Sequence, residues 1–539
     1  MHLGVDLDNT LVCYDEVFLW GAHHLKLLPD GWSGNRKEVR DYLRSDPYGE
    51  EVWQRLQGKV YGHWMYRASL FVGVYRFLWR CRVRKIRVDI VSHKSMFGHF
   101  DREKIPLRDC AMDFLRHAGL FSENDNSMIK SVEFVSNQEK KLQLIEKKNF
   151  DWFIDDIPEL LESEKFPTQT SALLFEPNGN GYTGKLDTVI SWSELERRLL
   201  GQWTTDELRE ISSDISNTKI NSVEPLSGGG NTSISKIQFF DKNEAALKIY
   251  WEDSQHDRLY SEYESVGILH KRNITQVPKP IGVSRTLKAA MYQWVDGKPL
   301  DEPTKFDLDQ ALEFLEQIQE IQTTRDLKHF PDAAAAVFSG SQLEEQFIER
   351  LSDLNKYSEQ SGSLQRFLKE ELKPTANEII KWCKSNWLNA PSYYDSLGSK
   401  ERVLSPSDFG FHNALRESTG RVIFLDFEYF GWDDPAKLVG DFMLHPGMHL
   451  SNELKAKWMT GTEKLFGSQV TVRVRTMWPL LGLCWCIIML NVYRRDIWLR
   501  RVHARSGQEK ELDQTKSRQL NQSRNLLNEL REQYRKFPY

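Results

Sequence analysis

Between Leu404 and Pro435 the chain reads LSPSDFGFHNAL and then VIFLDFEYFGWDDP. Two short apolar runs each deliver a carboxylate, Asp408 and Asp426, and Asn413 follows the first by five positions. Acid, amide and acid on a short hairpin are the groups needed to place a base and to hold magnesium through hard oxygen ligands. A second set opens the chain. HLGVDLDNTLV reads as a buried strand that runs into a turn, with Asp6 and Asp8 one residue apart beyond it. If the chain turns there, both carboxylates approach one point. One can then attack phosphorus while the other handles the leaving-group proton. By itself the pair suits a turn or a sugar-nucleotide site equally well.

Elements must bring such groups together. KIRVDIVSHKS reads as a strand that delivers Ser92, and FDWFIDDIPELL as a strand that ends in Asp155 and Asp156. Between them Gln138 to Lys148 reads as a helix, with Lys140 and Lys141 in its first turn. Strand ends are where open α/β sheets place their sites. Farther on, Gly228, Gly229 and Gly230 sit between two extended runs, where glycines let backbone amides approach phosphates. The run AALKIY follows, with Lys248 inside an apolar strand, and an interior lysine requires an anionic partner. A helix beginning near Tyr260 offers Glu262 and Glu264.

Composition bounds the answer. A chain of 539 residues with 40% hydrophobic content exceeds one ordinary core and suggests two to four domains. A net charge of -5 gives no support to nucleic-acid binding. The cysteines, Cys13, Cys81, Cys110, Cys383, Cys484 and Cys486, show no metal spacing, so a reducing, cytoplasmic setting is the simplest reading. No signal peptide is read at the start, because Asp6 and Asp8 interrupt any apolar segment. Thr476 to Tyr493 is the one membrane candidate. Its apolar core falls short of the roughly 20 residues a span needs, so a buried helix is expected and no membrane association.

The motifs near Asp408 and Lys248 resemble the kinase-like aminoglycoside and choline phosphotransferase families. Those usually begin the loop with His-Gly-Asp, where this chain has Pro406, Ser407 and Asp408; the Asp-to-Asn spacing is intact. The resemblance implies that Asp408 orients or deprotonates an acceptor hydroxyl, and that Asn413 and Asp426 hold Mg²⁺. Lys248 would hold the α/β-phosphates of ATP beneath the Gly228–Gly230 hairpin. Glu262 would orient Lys248, with Glu264 as the alternative register. The strand KAAMYQWVDGKPL would be the lobe hinge, facing adenine with the Gln293 to Val295 backbone, with Met291 or Tyr292 near the pocket. Asp433 or Asp434 would cap the helix from Ala436.

Residues 1 to about 175 resemble the haloacid-dehalogenase-like (HAD) phosphohydrolase superfamily. That resemblance implies Asp6 as nucleophile and Asp8 as general acid and base. Ser92 would hold the phosphoryl oxygens, and Lys140, or less favourably Lys141, would offset charge. Mg²⁺ would bind Asp6, the Asp8 carbonyl, Asp155 and Asp156.

The expected architecture is multidomain α/β and α+β. A Rossmann-like HAD fold spans 1–200, with a Trp-rich helical cap inserted at about 12–84 and helices expected near Glu50 to Leu56 and Gly62 to Phe77. A linker covers 201–220. A bilobal protein-kinase-like (aminoglycoside phosphotransferase) fold follows, with its first lobe at 221–300 and a helical lobe and tail at 301–539. The basic run Arg80, Arg82, Arg84, Lys85 and Arg87 reads as a solvated face or, more sharply, an anion-steering rim. Asp332 to Ser339 reads as a helix start or a surface loop, and the tail from Gln508 as a helix with a loose leucine stripe. The expected activity is a bifunctional one, a Mg²⁺-dependent phosphomonoester hydrolase joined to an ATP-dependent kinase for a sugar, polyol or amino alcohol. A small-molecule hydroxyl acceptor and a phosphate ester are the expected partners, and a homo-oligomer is compatible with the sequence. The rival readings are one catalytic domain with a structural or regulatory passenger, and an ATP-binding scaffold or sensor.

Overall fold

The computed structural model describes residues 1–177, 182–226, 232–252, 256–324, 327–328, 330–358, 361–388, 391–494, 497–498 and 512–539. The chain divides into two compact units, the first Met1–Leu208 with Glu252–Ser254 and the second Arg209–Trp251 with Gln255–Tyr539. Helix Thr205–Ser216 occupies most of the expected linker, and the division falls inside it.

The first unit is organised on a parallel sheet of β1 (His2–Val5), β2 (Arg87–His93), β3 (Ser131–Val135), β4 (Trp152–Asp155), β5 (Ser171–Phe175) and β6 (Asp187–Val189). Their order is β3-β2-β1-β4-β5-β6, with every pairing parallel. Parallel strands are covered on both faces, so they read as apolar runs, and the buried residues of β1 and β4 follow that pattern. The strand order reverses beside β1. The crevice beyond the carboxyl ends of β1 and β4 is therefore the predicted binding place of such a sheet.

Between β1 and β2 lie helices Asp15–His24, Arg36–Arg44 and Gly49–Tyr61, then a short 3-10 turn at Met65–Arg67. Val12–Cys13 pairs with Ser69–Leu70 and closes the neck of this insert. The insert is thus shorter than the expected 12–84. Helix Val74–Val83 buries Phe77, Leu78 and Cys81 and packs against β2, so it belongs to the layer covering the sheet. The expected helix from Gly62 to Phe77 is instead broken by the 3-10 turn, the strand segment and Gly73, whose φ of +94° opens the next helix. The basic run is not one face: Lys85 and Arg87 are exposed, as a solvated face requires, but Arg80 and Arg84 turn into ion pairs. Arg80 is buried, with Nε 3.0 Å from Glu207 and Nη1 2.8 Å from Glu196, while Arg84 pairs with Glu207 and Arg87 with Asp89.

The second unit begins with an antiparallel sheet of β7 (Ile220–Leu226), β8 (Thr232–Phe239), β9 (Glu244–Tyr250), β10 (Pro280–Ser284) and β11 (Ala289–Gln293), in the order β10-β11-β9-β8-β7. Helix Arg258–Lys271 connects β9 to β10, capped by Asp257, which accepts from the Tyr260 N–H. A largely helical part follows. Its central helix, Ser468–Met489, is the apolar stretch singled out above. With its continuation to Tyr493 it is the one helix among the described residues long and apolar enough to cross a membrane, and 78% of its most apolar 18-residue window is buried within the protein. The tail helix Leu512–Gln533 lays Leu520, Leu527 and Leu530 on it, where a Cβ at Gly482 would stand 2.6 Å from Leu530. Gln508 to Glu511 lie outside the described residues. Asp332 to Ser339 is a loop rather than a helix start, exposed in part from Asp332 to Ala336 and buried from Val337 to Ser339, where the Val337 N–H donates to Asp433 at 3.1 Å. Asp434, rather than Asp433, caps helix Pro435–Leu444 and is held by Arg473 at 2.6 Å.

Candidate functional site

In the second unit β9 carries Lys248 into the interior, opposite Ile234 of β8. Its ammonium lies 2.8 and 2.6 Å from the Glu262 carboxylate oxygens and 2.9 Å from Asp426 Oδ1. Burial by itself would lower the Lys248 pKa, but Asp426 and Glu262 outweigh it and raise it. Tyr250 OH donates to Glu262 at 2.7 Å and sits 3.0 Å from Tyr292 OH, so the carboxylate is held on both sides. Glu264 faces outward to Arg285, as two positions apart on a helix require. The open register therefore resolves to Glu262.

Asp408 follows strand Val403–Ser405, and Asp426 follows strand Val422–Phe424. Ser407 and Asp426 both have φ of +67°, a left-handed conformation uncommon outside glycine and frequent where a site imposes it. Asn413 ends a 3-10 turn and donates its side-chain N–H₂ to the Asp408 carbonyl at 3.0 Å and to Asp408 Oδ2 at 3.3 Å. Both partners are acceptors, so the amide oxygen is the atom left for a cation. Burial would raise the Asp408 pKa, yet His412 and His445 hold it down to about 2. Neither histidine was singled out from the sequence.

Lys248, Glu262, Asn413 and Asp426 line one cavity of about 360 Å³. Ile234, Ala246, Leu415 and Leu425 give it apolar walls suited to a flat ring. The hinge reading is refined here. Gln293 and Val295 line the cavity, but the Gln293 N–H donates to Lys279 and the Trp294 N–H to Glu244. Val295 is left as the one of the three whose amide has no backbone acceptor among the described residues. Tyr292 reaches the cavity while Met291 is fully buried away from it, and Trp294, between Gln293 and Val295, joins the lining. Gly228, Gly229 and Gly230 lie outside the described residues.

In the first unit Asp6 and Asp155 leave the adjacent strands β1 and β4. With Asp156 they place ligand oxygens within 4.8 Å of one another. Lys141, not Lys140, meets them, 2.5 Å from Asp6 and 2.7 Å from Asp155. Asn137 caps this helix through the Lys140 N–H, which fixes the phase: Lys140 is exposed and Lys141 is buried. Burial raises the Asp6 pKa against the pull of Lys141. Burial and then Asp155 push Asp156 up to about 7, with Arg36 opposing. Ser92 Oγ is buried without a hydrogen-bond partner among the described residues. Asp8 leaves this cluster's core and pairs with Lys94 at 2.7 Å, while accepting from Tyr14 OH at 2.6 Å. Asn9, next to it, has φ of +61°.

Lys94 and the insert residues Tyr14, Arg36 and Tyr61 escaped the sequence reading. Lys94 had a signal, because it follows Ser92 by two and so shares its side of the extending strand. Arg36 donates to Tyr61 OH at 3.2 Å, and the Lys94 ammonium stands 5.0 Å from the Tyr61 ring. The insert thus contributes side chains around the acidic cluster.

Residues 222–458 match the phosphotransferase enzyme family (APH). No curated protein sequence matches the chain. Among solved structures, a spectinomycin phosphotransferase is 11% identical, covering 61% of this chain and 99% of its own at a TM-score of 0.44. A Plasmodium vivax ethanolamine kinase is 13% identical over 58% of this chain and 83% of its own, at a TM-score of 0.39. A Cryptosporidium parvum choline kinase is 12% identical over 58% and 90%, at a TM-score of 0.38.

Proposed function

We propose that the second unit transfers the γ-phosphoryl group of ATP to a hydroxyl of a small molecule. The observation that carries this is Lys248, clamped between Glu262 and Asp426 on the wall of the cavity that Asn413 and Val295 also line. Adenine would lie between the apolar walls, with the Val295 amide toward its edge, and Lys248 would pair the α/β-phosphates. Asp426 and the Asn413 amide oxygen fit Mg²⁺, a hard cation, which when bound would offset phosphate charge. Asp408 would orient the acceptor O–H and take its proton as the new O–P bond forms and the bond to ADP breaks. The acceptor class, a sugar, polyol or amino alcohol, is proposed together with this reading. The test incubates full-length protein with radiolabelled ATP, Mg²⁺ and a panel of such alcohols. Label transfer that D408N abolishes is the expected result, and transfer by D408N at the native rate would overturn the role of Asp408.

A second activity is proposed for the first unit on a separate observation: Asp6, Lys141, Asp155, Asp156 and the unpartnered Ser92 Oγ converge at the carboxyl ends of adjacent strands. This set suits hydrolysis of a phosphomonoester through an aspartyl-phosphate on Asp6. Asp6, Asp155 and Asp156 offer three hard oxygens for Mg²⁺, whose charge would ease attack by one anion on another. Ser92 and Lys141 would hold the phosphoryl oxygens. Asp8 would handle the proton of the leaving oxygen and then activate water. The insert, neck-closed at Val12 and Leu70, would act as a cap that screens substrates. Both units are read as working in a reducing, cytoplasmic setting.

A further inference from the structure

Among the described residues, Asp408 receives no side-chain hydrogen bond from the residue pair before it. Pro406 has none to offer, and Ser407 turns its N–H to Ser405 Oγ at 2.9 Å. A base needs a fixed rotamer all the same, and the structure supplies one from farther along the chain. His412 Nε2 lies 3.1 Å from Asp408 Oδ1, and His445 Nε2 lies 3.9 Å from the same oxygen. The two imidazoles stack, with centroids 3.5 Å apart and planes 13° apart.

Their tautomers follow from their other contacts. The Gly447 N–H donates to His445 Nδ1 at 3.1 Å, so that nitrogen carries a lone pair and the proton of the neutral ring sits on Nε2, toward Asp408. His412 faces a carboxylate with Nε2, which therefore carries a proton too, and rests Nδ1 3.5 Å from Met448 Sδ. The same tautomer argues against a metal at Asp408, His412 and His445. A metal would need the His445 Nε2 lone pair, which would force a proton onto Nδ1 against the Gly447 donor. Packing holds the pair in place. A Cβ on Gly410 would stand 2.4 Å from Met448 Sδ and 2.8 Å from His412 Nδ1. The Trp485 ring meets His445 edge-on at 4.8 Å and is itself anchored to Asp441 at 2.8 Å.

We infer that His412 and His445 form a stacked donor pair that positions Asp408 by engaging Oδ1, so that Oδ2, which accepts one longer bond from Asn413 at 3.3 Å and keeps a second lone pair, is the oxygen presented to the acceptor hydroxyl. This rests on the reading of Asp408 as the base. His412 acts directly through its hydrogen bond. His445 acts through the stack and the weaker, longer approach to Oδ1. Burial and His412 push His445 down to about 4, which agrees with a neutral ring.

The test uses the full-length chain, MgATP and water as the acceptor, so that no alcohol need be known. His412→Phe keeps the ring and its stack but removes the donor, whereas His412→Gln restores an N–H donor. H412F is expected to lower kcat on the order of 10²-fold with KM for ATP and the melting temperature unchanged, and H412Q to recover most of the loss. If D408N is dead and H412F turns over like the native chain, the positioning role is wrong and the base stands. If D408N turns over normally, the base reading itself is wrong. A second measurement does not depend on turnover or on a variant that folds poorly. Long-range ¹H–¹⁵N spectra of histidine-labelled native protein are expected to show His445 as the Nε2–H tautomer. An Nδ1–H tautomer at His445 overturns the inference.

Discussion

Lys141 in the first unit and Lys248 in the second are each buried and each held between two carboxylates, Asp6 and Asp155 in one case, Glu262 and Asp426 in the other. The surroundings differ. Asp156 adds a third carboxylate to the first cluster, which leaves two more negative charges than Lys141 neutralises if all three acids ionise. Around Lys248 the direct pairing leaves one surplus charge, and Asp426 is about a third exposed to its cavity at 35%. The further partner there, Asn413, is neutral. The first cluster is therefore built to want a cation for its own sake. The second gains its full demand for one when phosphates enter. A third clamp shows that the motif alone does not mark a site: Lys437, on helix Pro435–Leu444, lies 2.9 Å from Asp433 at the end of strand Gly431–Asp433 and 3.1 Å from Asp441 one turn on. Asp433 also ends a strand, so what sets the first two apart is a backbone held at positive φ within the motif, at Asn9 in one and at Ser407 and Asp426 in the other, together with the open cavity at Lys248 and the unpartnered Ser92 hydroxyl on the strand next to Asp6.

The largest expected effect breaks the two sites apart. Asp408→Asn and Asp6→Asn should each remove one activity by about 10²–10⁴-fold and leave the other within error. The readouts are label transfer from ATP and phosphate release from p-nitrophenyl phosphate in the same preparation. Loss of both activities in either variant would mean that the sites are not independent, and a native rate of release in D6N would remove Asp6 as nucleophile.

Next comes the cost of removing each lysine. Lys141→Met leaves three clustered acids with one fewer cation, and breaking a buried pair in this way costs about 3–5 kcal/mol. Lys248→Met should cost less, because Asp426 can turn to solvent and Tyr250 still donates to Glu262. Denaturant unfolding of the two variants compares them, and an equal or reversed order would show that surplus charge is not what separates the clusters.

How much of this could be seen in the sequence depends on distance along the chain. Asp6, Ser92, Asp155 and Asp156 were legible because strand ends carry their own signature and one sheet gathers them. Lys248 was legible as a cation in an apolar strand. The choice of Glu262 over Glu264, and of Lys141 over Lys140, needed helix phase, which the Asn137 cap sets by a single residue and periodicity alone leaves free. Helix Val74–Val83 reads as part of the cap in the sequence because it falls, with Trp79, inside the long gap between the Asp6 strand and the next strand. Its buried Arg80 is legible only when Glu196 and Glu207, more than a hundred residues on, are known to face it. His412 and His445 share that difficulty: their stack depends on where helix Pro435–Leu444 ends, and no local pattern pairs them.

A smaller effect sharpens the comparison through the cation itself. Mg²⁺ without nucleotide should stabilise the chain, by about 2.7 kcal/mol at a hundredfold excess over its dissociation constant. The gain should vanish in a double variant of Asp155→Asn and Asp156→Asn and persist in Asp426→Asn. Calorimetry with and without Mg²⁺ reads this directly. Stabilisation that survives the double variant, or is lost in D426N, would move the nucleotide-independent cation site to the other unit.

The smallest effect concerns the clamp that is not a site. Burial pushes Asp433 up to about 6, against the pull of Lys437, whereas the same acid in the unfolded chain ionises near 3.8. Between those values the folded protein keeps a proton that the unfolded chain has released. The unfolded state binds fewer protons, so stability falls as pH rises through this window, with a slope of about 1 kcal/mol per pH unit, and the loss remains above pH 6. Asp433→Asn removes the titration while keeping an amide oxygen for the Val337 N–H, so the difference in stability between variant and native chain should drift in the variant's favour from pH 4 to 6 and then level off. Phosphate chemistry at either site should be untouched, since Asp433 meets Val337, Asp434 and Lys437 and does not line the cavity at Lys248. Parallel unfolding curves for D433N and native protein at pH 4 and pH 6 would show that Lys437 keeps Asp433 ionised throughout. The third clamp would then be as well balanced as the one at Lys248, and buried charge surplus would cease to distinguish a structural clamp from a catalytic one.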